Sequence, residues 1–161
     1  MEQRQVLHYV VAGKGSHLTE LKRQATELGL DNIITWLGFV PDEVLPVVYR
    51  AADLFVLCTR EDKVQRGVEG FGMVFLEAQA AGLPVIGTRA GGIPDAIEVG
   101  RGGWLIEKDD SNALCSMLET LVDQPEIFAS QSKQGQKRVF SECSWNHYIQ
   151  RLQNLLEKNN E

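Results

Sequence analysis

Apolar runs alternate with amphipathic stretches along the chain. Val6-Leu7-His8-Tyr9-Val10-Val11-Ala12 reads as a buried strand and stops at Gly13-Lys14-Gly15-Ser16. Residues 17–28 carry Leu18, Leu21, Ala25 and Leu28 at helical spacing, with Gly29 as the C-terminal cap. Residues 33–37 predict a second strand that ends at Gly38. Pro41 opens a predicted helix through about residue 52, with Asp42 and Glu43 in its first turn, where the helix dipole favours acids. Residues 54–57 predict the next strand, and a charged loop follows over 59–69. Residues 72–81 predict a helix closed by Gly82, with Pro84 just beyond. Val85 and Ile86 are strand, 88–92 a glycine-rich loop, Pro94 the start of a short helix, and 104–106 the last strand. From Ser111 onward the pattern is helical, broken near Pro125 and Ser144. Strand and helix alternate at a spacing that predicts right-handed βαβ units. The expected fold is α/β: a Rossmann-like parallel sheet with helices on both faces and a helical C-terminal tail.

Composition narrows the function without changing this picture. The 161 residues fit one domain and suffice for a real core. With 43% hydrophobic and 24% charged residues the chain is neither disordered nor a coiled coil. A net charge of −6 argues against coating nucleic acid. No apolar run reaches the length of a membrane span, and the first residues do not read as a signal peptide. Three scattered cysteines and three scattered histidines fit reduced cytoplasmic thiols and no metal centre.

Four stretches could carry chemistry. Gly13-Lys14-Gly15-Ser16 follows a strand and opens a helix, where phosphate-binding turns live. It lacks the third glycine of a dinucleotide fingerprint and the acid some 20 residues on, so it reads first as a tight turn. Glu69-Gly70-Phe71-Gly72-Met73-Val74-Phe75-Leu76-Glu77 is more specific. Two glycines bracket Phe71 just before a helix whose first N–H groups are free to bind an anion. Glu69 lies outside that helix, and Glu77, inside it, tilts back toward the same mouth. Two carboxylates beside a phosphate-ready helix end suit a phosphorylated sugar or a nucleotide-sugar; a solvated helix start fits equally well. Thr88-Arg89-Ala90-Gly91-Gly92-Ile93-Pro94-Asp95 sits at a strand end where open α/β folds bind ligands, or is a loop that needs glycine for its backbone angles. Arg60, Lys63 and Arg66 in the charged loop could meet phosphate or simply be solvated, and Trp145 and Tyr148 read as anchors for the terminal helix.

Taken together these residues resemble a known family. Glu69 and Glu77, with seven residues between them, resemble the E-x7-E motif of the retaining glycosyltransferases of family 4 (GT4). Gly38-Phe39-Val40-Pro41, the Tyr49–Val56 segment, Glu77–Ile86, Ala90–Pro94 and Ser144-Trp145 are similar to the family's other motifs, in the same order. The charged loop before Glu69 looks most like mannosyltransferases acting on phosphatidylinositol mannosides. The resemblance implies the C-terminal, donor-binding domain of a GT-B enzyme spanning residues 1–161. It implies a retaining hexosyl transfer from a UDP-, GDP- or ADP-sugar, without a metal or other cofactor. Glu77 is then expected on the ribose hydroxyls, and Glu69 on the donor sugar's hydroxyls as the catalytic residue. Gly70, Phe71 and Gly72 should line the sugar pocket, and the Met73 and Val74 amides should hold the diphosphate. Val40 should contact the base through its backbone.

Cys58-Thr59 stands where the family has Pro-Ser, a mild departure. The domain's own first strand and helix, and an acceptor-binding N-terminal domain, are expected to be missing. The resemblance therefore implies a truncated chain that is not competent alone. It would meet a glycan, lipid or small-molecule acceptor, and any membrane, through the missing domain, and self-association of the truncated chain is a further expected outcome. The alternative is a non-catalytic nucleotide-sugar-binding or assembly module.

Overall fold

A computed structural model describes residues 7–60 and 70–158, which divide into two compact units, residues 1–45 and 46–161. In the first unit, β1 (Tyr9–Ala12) pairs parallel with β2 (Ile34–Gly38), and α1 (Leu18–Glu27) connects them. β1 is more open than its composition predicts: Tyr9 is 54% and Val10 43% exposed, and Ala25 of α1 is the buried residue among those described in this unit. Two strands with one helix cannot cover both faces of a parallel pair, which ordinarily needs a layer on each side.

The second unit holds a three-stranded parallel sheet in the order β3 (Phe55–Leu57), β4 (Val85–Thr88), β5 (Gly103–Ile106). Its side chains alternate between faces. Val56, Ile86, Trp104 and Ile106 meet Leu114, Met117, Leu118 and Leu121 of α5 (Ser111–Asp123). Phe55, Val85 and Gly87 lie on the other face. There Phe55 stacks edge-on against Phe75 of α3 (Met73–Ala80), and Gly87 faces Ile93 and Ile97 at α4 (Ile93–Ala96). The core of this unit is Phe75, Val85, Ile86, Ile93, Ile97 and Leu121, each no more than 1% exposed. Parallel strands and helices on both faces follow the expectation. Among the described residues the strands form two parallel sheets, the pair β1-β2 and the trio β3-β4-β5.

Two further expectations are corrected. The helix expected from Pro41 begins at Leu45 as α2 (Leu45–Arg50), and the Pro41 carbonyl instead accepts turn bonds from the Val44 and Leu45 amides. Pro46 explains the delay: it has no N–H to give and its ring clashes with a carbonyl four residues back, so only a helix's first turn accepts it. Trp145 and Tyr148 do not anchor α7 (Trp145–Lys158): they are 72% and 59% exposed and stack edge-on against each other. The remaining helix is α6 (Glu126–Glu142). Among the described residues no helix is long and apolar enough to cross a membrane.

Candidate functional site

The candidate residues gather where α3 begins. Met-Val-Phe-Leu-Glu-Ala-Gln-Ala is apolar nearly all round, and Phe75, Leu76, Ala78 and Gln79 are buried, so α3 is a core helix. Its N-cap, Gly72, is left-handed at φ +79°, and no side chain caps the helix start. A β carbon at Gly72 would stand 2.6 Å from the Phe75 ring, so glycine is required there on two counts. The helix therefore presents the backbone amides of Met73 and Val74, with the positive end of its dipole, to whatever approaches.

A second glycine turn closes on the first. A β carbon at Gly92 would lie 2.0 Å from the Gly70 carbonyl oxygen and 3.1 Å from the Phe71 α carbon. The Gly91-Gly92 turn thus rests directly on the Gly70-Phe71 backbone. Both turns lie beyond the carboxyl ends of parallel strands, the side on which open α/β sheets take ligands. The Thr88 hydroxyl, buried at the end of β4, donates to the Thr59 carbonyl at 2.8 Å and ties the exits of β3 and β4 together.

Glu77 is exposed on the second turn of α3, and its Oε2 accepts a hydrogen bond from the Tyr49 hydroxyl at 3.2 Å. Tyr49 is buried on α2, edge-on to Phe55, which is edge-on to Phe75. This aromatic run fixes the phenol and, through it, the carboxylate. Burial first, and then the Glu77 charge, push the Tyr49 pKa well above the ordinary phenol value of 10.0. The neutral phenol is the form the fold favours, so its contribution is whole below pH 10. It is lost as pH rises, because the unfolded chain ionises first. Thermal melts from pH 7 to 11 should show wild type losing stability relative to Tyr49→Phe above about pH 10. Parallel curves would refute the coupling.

The structure brings Gly70, Phe71, Gly72, Met73, Val74 and Glu77 together as expected by their order in the chain. Glu69 lies outside the described residues, as do Lys63 and Arg66. Val40 belongs to the first unit, just after the Gly38 turn. The Gly13–Ser16 stretch is a turn there: the Gly13 amide donates to the Gly38 carbonyl at 2.7 Å, and the Lys14 ammonium stands 5.2 Å from the Phe39 ring centre. Arg60 pairs with Asp109 at 2.6 Å and Arg89 with Glu107 at 3.2 Å, exposed pairs worth little to stability. Among the described residues, no three of His, Cys, Asp and Glu gather to hold a metal ion. Gly92 lies in a stretch singled out from the sequence, and its close contact is with the Gly70 backbone; Tyr49 is a site residue whose role the sequence did not reveal. A buried tyrosine's need for an acceptor was the available signal, but its partner is 28 residues away.

Comparison with known proteins shows the family and the fold class. A family model described as glycosyl transferases group 1 matches residues 1–138. The chain is 31% identical over 146 residues to the GDP-mannose-dependent alpha-(1-6)-phosphatidylinositol monomannoside mannosyltransferase of Mycolicibacterium smegmatis, covering 91% of this chain and 38% of that protein. It is 33% identical over 157 residues to the mannosylfructose-phosphate synthase of Agrobacterium fabrum, covering 94% and 33%. The crystal structure of Anabaena Alr3699/HepE in complex with UDP matches with a TM-score of 0.80 at 25% identity, over 94% of this chain and 41% of that one. The chain thus spans between a third and two fifths of the length of these curated relatives. The solved neighbours share the GT-B fold class expected from the sequence.

Proposed function

The chain belongs to the group 1 glycosyltransferases, and on that premise we propose that it is the donor-binding domain of a retaining hexosyltransferase. It binds a nucleotide-diphospho-sugar, and in the longer enzyme the sugar passes to an acceptor hydroxyl brought by another domain. The observation that carries this reading is the α3 mouth: a helix start with no side-chain cap, a second glycine turn laid on the first, and a carboxylate one turn in.

The diphosphate takes the Met73 and Val74 amides, where the helix dipole assists. The Gly70-Phe71-Gly72 backbone, free of β carbons at both glycines, lets the sugar approach closely. Glu77 accepts the ribose hydroxyl protons, in hydrogen bonds strengthened by its charge. In this reading Glu69 contacts the donor sugar's hydroxyls as the catalytic residue. No metal takes part in the proposed transfer, and the site is proposed to work in the cytoplasm.

Calorimetric titration with UDP, GDP, ADP and their sugar conjugates tests the reading. One relative is GDP-mannose-dependent and the Anabaena protein binds UDP, so the preferred base is the first quantity the titration reads. One nucleotide should bind with a Kd between about 1 μM and 1 mM, the usual span for enzyme substrates. A chain that is folded by circular dichroism and binds none of them would favour the non-catalytic assembly module instead.

A further inference from the structure

Arg138 is a charged side chain buried outside the glycine turns, at 7% exposure on α6. One of its guanidinium nitrogens, Nη1, donates to the Ala96 carbonyl at 2.9 Å and to Gln79 Oε1 at 3.3 Å. Nη2 donates to the Asp95 carbonyl at 3.4 Å, and Nε pairs with Glu98 at 3.2 Å. Asp95 and Ala96 end α4, and Gln79 lies in the last turn of α3. A single guanidinium thus joins the far ends of the two helices whose starts carry the two glycine turns.

The geometry of α4 makes this tie consequential. Four residues make about one turn, roughly 6 Å long. A helix that short has no stability of its own, so its place is set by the core packing of Ile93, Ala96 and Ile97 and by what holds its two ends. At its start, Gly92 rests on the Gly70 carbonyl. At its end, the helix carbonyls have Arg138. The other ties from α6 among the described residues reach elsewhere: Ser132 to the Gly82 carbonyl, Gln136 to the Ala80 carbonyl, Gln131 to the Gly102 amide and Gly100 carbonyl, and Glu142 to Arg101. Gln79 is fully buried, and its Nε2 has no hydrogen-bond partner. An apolar side chain would fill that place without this cost, so its orientation toward Arg138 is what the residue contributes.

We propose that Arg138 is a positioning residue for the α3 mouth: acting through α4, it holds the Gly91-Gly92 turn against the Gly70-Phe71 backbone. The consequence for nucleotide affinity rests on the donor-binding reading above; the consequence for the turn does not.

The test uses the whole chain as wild type, Arg138→Met, Arg138→Lys and Leu121→Ala. Leu121 lies in the core between β4, β5 and α5, and its truncation destabilises the sheet without touching α4. Amide hydrogen exchange is read at Ile93, Asp95 and Ile97, whose N–H groups bond to the Ala90, Gly92 and Ile93 carbonyls. The nucleotide selected by titration is the second readout. In Arg138→Met, exchange at these amides should rise about tenfold and the nucleotide Kd should rise about tenfold. Arg138→Lys keeps a donor for the carbonyls and should recover at least half of each effect on a logarithmic scale. Leu121→Ala should leave both within about twofold even where its Tm falls further. Arg138→Met that lowers Tm with exchange at α4 no faster than in Leu121→Ala would overturn the proposal, whatever the nucleotide does. Faster exchange at α4 in a chain whose wild type binds no nucleotide would uphold the positioning role and sink the donor-binding reading instead. Should Arg138→Met fail to fold, Arg138→Lys carries the same comparison alone.

Discussion

Gly92→Ala is expected to cost the chain its nucleotide affinity by more than about 100-fold, the largest loss of any single methyl in this site. The added carbon would sit 2.0 Å from the Gly70 oxygen, a contact between two backbones with no flexible side chain to yield. Either the Gly91-Gly92 turn or the Gly70-Phe71 loop must move, and both border the amides at the start of α3. Overpacking of this kind costs about 1–3 kcal/mol, which for a domain of this size lowers Tm by about 2–12 °C. Titration and a melt on the same sample separate the two effects. Affinity kept within threefold of wild type would place the ligand away from this pair of turns.

Glu77→Ala should remove binding through a different route. Glu77 is exposed and its tie to the core is the Tyr49 hydrogen bond, so stability should fall by no more than about 1–3 kcal/mol. Each hydrogen bond to a charged acceptor is worth about 1.5–3 kcal/mol, so losing one or two ribose contacts weakens binding about 10- to 100-fold or more. A nucleotide lacking both ribose hydroxyls sharpens the test. It should bind wild type as weakly as the intact nucleotide binds Glu77→Ala, and the variant should not distinguish the two ligands. A variant that still prefers the intact ribose would assign those hydroxyls to another group. The Tyr49 phenol, which donates to Glu77 at 3.2 Å, would lose its acceptor, so Tyr49→Phe in the Glu77→Ala background should cost less than in wild type.

Local signals carried most of the fold. Gly72 and Gly82 bracket α3 where the sequence places them, and Asp110 caps α5 by accepting from the Ala113 amide at 2.8 Å. The errors came where a second constraint overrode a local one. Pro41 is a good first helical residue, but Pro46 forbids a helix that begins so early. The apolar run at β1 predicts burial only if other elements cover it, and the periodicity of one strand says nothing about its neighbours. Trp145 and Tyr148 have the composition of anchors and lie exposed, because hydrophobicity reports a tendency and not a partner. The site divides in the same way. The α3 mouth is contiguous in sequence and legible there. The Gly92–Gly70 contact, the Tyr49–Glu77 bond and the Arg138 ties join residues 22 to 59 positions apart, and only the folded chain pairs them.

Synthesis delivers α3 and α4 from the ribosome well before α6. Arg138 follows Ala96 by 42 residues and Gln79 by 59. At 5–20 residues per second the nascent chain waits about 2–8 s between completing α4 and adding Arg138, and about 3–12 s after Gln79. Over that interval β5 is added to complete the three-stranded sheet, while the two helices have no common fastening at their far ends. A message cut short after α5 would therefore yield a protein with its glycine turns intact in sequence and without the fastening that α6 supplies.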